Sequence, residues 1–101
     1  MAIAAINVLL EAAGDTVMVS MFKAGHWSVA GDPKDVLPED EGTWAWHPTV
    51  GVELNGVAVT LVALAGFNFT TAKVGDAGRA LLFPKLRDDL GSFRVTQVES
   101  G

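Results

Sequence analysis

Between Val50 and Leu64, two runs of alternating apolar residues flank an Asn-Gly pair, and no other stretch constrains the fold of this chain so tightly. Val50, Val52 and Leu54 share one face of an extended segment, and Val57, Val59 and Leu61 do the same beyond Asn55-Gly56. β-Branched residues at a period of two suit a pleated, half-covered surface. Asn-Gly is the pair best fitted to a type I′ turn, whose two central residues both need positive φ. The pattern predicts a β-hairpin, and a lone hairpin is unstable in water without further strands.

The rest of the chain offers those strands. Thr16 to Phe22 alternates Val17, Val19 and Met21 with Met18, Ser20 and Phe22; both faces are mostly apolar, which predicts a strand covered on two sides. After Lys23-Ala24-Gly25, His26 to Ala30 can return as its partner. Phe67 to Val74 reads as a strand with Phe67, Phe69 and Thr71 on one face, followed by a turn at Gly75-Asp76-Ala77-Gly78. Arg79 to Phe83 is an edge strand or a helical turn stopped by Pro84. Lys85 to Leu90 fits one turn of helix ending at Gly91, and Ser92 to Glu99 a last strand. The first thirteen residues favour a short helix by propensity, with Ile3, Ile6, Leu10 and Ala13 on one face; a strand from Ile6 to Glu11 is the rival. Together these elements predict a mainly β fold. The architecture expected is a small antiparallel sandwich or barrel of six or seven short strands in a single domain, residues 1–101, with the N-terminal helix as an option.

With 101 residues, 50% of them hydrophobic and only 19% charged, the chain has little polar surface for its size. A small domain buries a modest share of its surface, so some apolar side chains must face outward or face another chain. This predicts an oligomer or a subunit of a larger assembly. There is no cysteine, which excludes disulfides and thiolate chemistry. The longest apolar run, Val57 to Phe69, is interrupted by Thr60 and Gly66 and is too short to span a bilayer. No membrane partner is expected; the location expected is a virion or the cytoplasm. A net charge of −5 argues against a general nucleic-acid surface. Acidic residues gather in 31–43 (Asp32, Asp35, Glu39, Asp40, Glu41), while Lys73, Arg79, Lys85, Arg87 and Arg94 give the stretch 73–94 a net positive charge. Ordinary solvated faces explain this separation, and so do two ends that meet head to tail in neighbouring copies.

Catalytic chemistry finds little to work with. No serine sits in a Gly-x-Ser-x-Gly elbow, and Gly75 to Arg79 matches no phosphate-loop pattern. His26 and His47, with Asp32 or Asp35, would make a two-histidine, one-carboxylate metal site only if the fold joined them; surface-loop histidines are the simpler reading. Glu39-Asp40-Glu41 and Asp88-Asp89 are adjacent in sequence and diverge, whereas acid–base catalysis needs carboxyls converging across a substrate. Neither a metal nor another cofactor is expected, and the chain is read as non-enzymatic.

The loop 31–43, held open by Pro33 and Pro38, is bracketed by Trp27 on one side and by Trp44 and Trp46 on the other. Trp44 and Trp46, two apart, share a face with the small Ala45 opposite. Indoles at such positions serve as core, as protein interface or as stacking platforms for a ligand. The interface residues expected are Trp27, Trp44, Trp46, Asp35, Glu39, Asp40, Glu41, Arg79 and Arg87. Three functions compete. The first is a structural or assembly subunit acting through other protein subunits, similar in general character to the accessory proteins of bacteriophage particles (decoration, tail or connector), a likeness of type with no motif behind it. The second is a glycan- or ligand-binding module using Trp27, Trp44 and Trp46. The third is an acidic inhibitor that places loop 31–43 in a basic groove.

Overall fold

A computed structural model describes residues 2–12, 14–30, 37, 39–82 and 90–101, the side chain of Leu90 excepted. Among the described residues, eight antiparallel strands run in sequence order around a closed barrel: β1 Ile3–Ala12, β2 Asp15–Phe22, β3 His26–Ala30, β4 Glu41–His47, β5 Gly51–Asn55, β6 Thr60–Ala65, β7 Ala77–Leu82 and β8 Leu90–Ser100. The mainly β barrel expected from the sequence is therefore present, with eight strands instead of six or seven.

Two strands are added to those expected, the N-terminal segment and Glu41–His47, and one, at 67–74, is lost. Residues 3–12 form β1, not a helix, because both edges of this segment find partners: Ala5 to Ala12 pair with β2, and Ile3 to Glu11 with β8. Two ladders of hydrogen bonds and a buried face override the helix propensity of alanine. Ile6, Val8 and Leu10 point inward opposite Met21, Val19 and Val17, while Asn7 and Leu9 point outward opposite Ser20 and Met18. The outer face of β2 is thus barrel wall, not a second core, and Phe22 on it is exposed. No polar or charged side chain among the described residues is buried. Outside, Ser20 Oγ donates to Asn7 Oδ1 (2.8 Å) and Asn7 Nδ2 donates to Gln97 Oε1 (2.9 Å). An apolar interior and a polar wall are the reverse of a lipid-facing barrel. No helix among the described residues is long and apolar enough to cross a membrane.

Three further expectations change. Phe67 to Val74 is not a strand: Phe69–Thr71 form a 3-10 turn, η1, capped by Asn68, whose Oδ1 accepts from the Thr70 amide (3.0 Å) and hydroxyl (2.7 Å). Asn competes with ladder formation by bonding its own neighbouring backbone. Phe67 and Phe69 are buried all the same, Phe67 edge-on to Phe93 at 5.4 Å. Replacing Asn68 with alanine should cost about 0.5–2 kcal/mol with strand content unchanged, read by denaturant titration and far-UV dichroism; an unmoved midpoint would mean the phenylalanines alone hold the turn. The β5–β6 hairpin is present, but Asn55 pairs with Thr60 and the loop Gly56–Val59 closes through the Gly56 amide on the Val59 carbonyl (2.8 Å). Gly56 is not among the glycines with positive φ, so the type I′ turn does not form. Arg79 lies in β7, an interior strand of the closed barrel and not an edge, while the helical turn expected at 85–90 falls outside the described residues except for Leu90, which is in β8.

Candidate functional site: the two ends of the barrel

Strands that alternate in direction place their connections alternately at two ends. One end carries the β1–β2 turn, the β5–β6 loop, and the strand ends entering and leaving 31–40 and 83–89. The other carries the turns at 23–25 and 48–50 and the η1 connection.

The three tryptophans are dispersed by this arrangement. Trp27 stands between outward His26 and Ser28, so it points inward, is 1% exposed, and donates its indole N–H to the Asn55 carbonyl (3.0 Å). It belongs to the core, which corrects its placement among the interface residues. Trp44 is half-buried: its indole N–H donates to the Phe22 carbonyl (2.7 Å), and its ring stacks on Phe69 at 4.6 Å and 27°. Trp46 shares that face, with Ala45 opposite as its spacing predicts. The pairing of β4 with β3 stops at Thr43 and His26, however, and Trp46 is left 51% exposed near the η1 end. No common stacking platform results.

Charge is unequal between the ends. Glu11, Asp15, Glu39, Asp40 and Glu41 lie at the β5–β6 loop end, and none of the described residues there is basic. Glu39 turns its carboxylate against Gly56, into the space a β-carbon would take, so it lies directly beside the loop tip. Leu37, from the same connection, is fully buried. Glu41 begins β4, outward and opposite Ser28, so the strand takes up the last residues of the stretch expected to be irregular. Lys23, Lys73 and Asp76 lie in the connections of the η1 end, and Glu99 lies close by, near the end of β8. The Asp76 carboxylate accepts from the Lys73 amide (2.9 Å). Arg79, opposite Ser92, and Arg94, opposite Ala77, are on the wall between the ends. Asp35 and Arg87 lie outside the described residues.

The sequence reading missed the tip itself. Val57, 94% exposed, and Val59, 58% exposed, are loop residues, not the strand face that their alternation suggests. The available signal was the polar Thr60 after them, which begins β6 and aligns with Asn55. His26 and His47 sit on the outer face of β3 and at the end of β4; the Thr49 amide donates to His47 Nδ1 (3.3 Å). Among the described residues no group of three or more histidines and carboxylates comes together. No family model, curated protein or solved structure matches the chain.

Proposed function

We propose that this chain is a non-enzymatic assembly subunit that works through protein–protein contacts, in a homo-oligomer or as an accessory of a larger particle such as a bacteriophage head or tail. The observation that carries the reading is where the exposed apolar bulk sits. The barrel interior is filled by its own side chains, yet six large apolar side chains among the described residues remain open to solvent: Phe22, Trp46, Val57, Val59 and Val74 lie at the ends, and Leu81 alone on the outer wall of β7. Single apolar residues scattered over a surface are ordinary; large ones gathered at two ends of a polar-walled barrel suit contact with another protein. The ligand-binding alternative is weakened by burial, since Trp27 is enclosed and Trp44 is stacked on Phe69. The inhibitor alternative ranks lower because Glu39 is turned onto Gly56. Sedimentation velocity at micromolar concentration should give a trimer or larger species. A clean monomer across the whole dilution series would remove the proposal.

A further inference from the structure

We infer that Asn55 is a modification site that the fold keeps closed: its side-chain amide turns into aspartate or isoaspartate when the β5–β6 loop opens. Of the asparagines, Asn7, Asn55 and Asn68, it alone precedes a glycine. With no side chain on Gly56 to crowd the approach or restrict the backbone, the Gly56 nitrogen can attack the Asn55 Cγ. A bond forms between that nitrogen and Cγ, and the Gly56 N–H proton leaves with the side-chain NH2 as ammonia. A cyclic imide remains. Water then opens the ring at either carbonyl. One product is aspartate; the other, isoaspartate, runs the main chain through Cβ and Cγ and frees the former main-chain carbonyl as a carboxylate. The only co-reactant is water.

The folded chain holds the reacting atoms apart. Asn55 closes β5, aligned with Thr43 of β4 and Thr60 of β6, and extended chain turns Cβ away from the nitrogen of the next residue. The Gly56 amide that must attack donates instead to the Val59 carbonyl (2.8 Å). Asn55 Oδ1 accepts from the Thr60 hydroxyl (2.9 Å), which also reaches Glu53 Oε2 (3.1 Å), and the Asn55 carbonyl accepts from the Trp27 indole (3.0 Å). Local opening is within reach all the same, because Val57 and Val59 are already exposed and freeing the loop uncovers little core. The modified chain fits the fold poorly. Aspartate sets a new carboxylate at Thr60, where Glu53 already stands, with Glu39 against Gly56. Isoaspartate lengthens the chain at the end of β5 and takes the Trp27 acceptor out of the main chain. Conversion therefore marks a chain whose loop has opened, and refolding does not erase the mark.

The test incubates the full chain at mildly alkaline pH, folded and in guanidinium chloride, and reads the acid form of residue 55 by peptide mass mapping. The folded chain should convert at least about tenfold more slowly than the denatured one. Thr60→Val removes the hydroxyl donor at similar size and should speed conversion of the folded chain by about two- to tenfold. Thr60→Ser keeps the donor and should stay near the parent rate. Asn68→Ala weakens the η1 turn at the other end and should leave Asn55 unchanged. The acid form, separated by its added charge, should unfold at lower denaturant than the parent. Equal rates in the folded and denatured parent, or no conversion in either, would overturn the inference. Equal acceleration by Thr60→Val and Asn68→Ala would overturn it too, by assigning conversion to unfolding of the whole barrel. If Thr60→Val does not fold, the folded and denatured parent and Asn68→Ala decide.

Discussion

Replacing Trp27 with alanine is expected to lower stability by about 3–5 kcal/mol, the range for removing a buried indole. For a chain of this size that corresponds to a fall in Tm of about 15 °C or more. The indole sits where three strands meet. Its own strand aligns it with Met21 of β2 and Gly42 of β4, and its N–H reaches across to the Asn55 carbonyl at the end of β5 (3.0 Å). Truncation therefore leaves a cavity and a carbonyl without its donor, and the two losses fall on the same strands. Trp27→Phe separates them: most of the ring area stays and the N–H goes, so the cost should drop to about 1–2 kcal/mol. Denaturant titrations of the two variants read this directly. A Trp27→Ala penalty under about 1 kcal/mol would mean the ring is not the keystone that its burial indicates.

The same residue shows what local sequence can and cannot indicate. Alternation in His26-Trp27-Ser28 is visible in the sequence, and so is the alternation of Ile6, Val8 and Leu10 in β1. Which of the two faces is interior is not visible, because that depends on Gly42 arriving opposite Trp27 from another strand. The N-terminal strand was misread for a related reason: its partners β2 and β8 supply the stabilisation, and β8 lies at the far end of the chain. Helix propensity is a local quantity and long-range pairing is not. At Asn68 the error ran the other way, with a side chain that caps its own neighbours defeating a strand pattern spread over Phe67, Phe69 and Thr71. The shared face of Trp44 and Trp46 was legible because a period of two is intrinsic to extended chain. Their different exposure was not, since it is set by where β3 ends and where Phe69 packs. The acidic stretch was legible as charge, while the valine tip beside it was hidden by an alternation that continues, without structural meaning, from Val57 to Val59.

Gly42 is the position where the smallest change should do the most damage. A β-carbon added there would run into the Asn55 carbonyl oxygen and stand 2.8–2.9 Å from the Trp27 indole. That carbonyl is the one that accepts the Trp27 N–H, so the extra methyl intrudes on a packing contact and a hydrogen bond at once. Gly78 offers a matched comparison. It lies opposite Phe93 in the β7–β8 ladder, and its nearest obstacles are Phe93 ring atoms at 2.9 and 3.1 Å, with the closest backbone atom, the Ala65 carbonyl oxygen, at 3.5 Å. A ring edge can tilt by a few tenths of an ångström; a carbonyl fixed in a strand cannot without shifting the strand. Overpacking of this kind costs about 1–3 kcal/mol and more when nothing yields. Gly42→Ala is accordingly expected at about 3 kcal/mol or above, and Gly78→Ala nearer 1 kcal/mol. Shrinking the facing side chain should then relieve one and not the other. Phe93→Leu should recover most of the Gly78→Ala loss, a coupling that a double-mutant cycle reads as non-additivity of about 0.5–1 kcal/mol. Trp27→Leu should recover little of the Gly42→Ala loss, because the Asn55 carbonyl remains in the way. Equal rescue at both sites would show that the Gly42 junction yields like the Phe93 ring, and that β5 is not held against β4 as closely as its register implies.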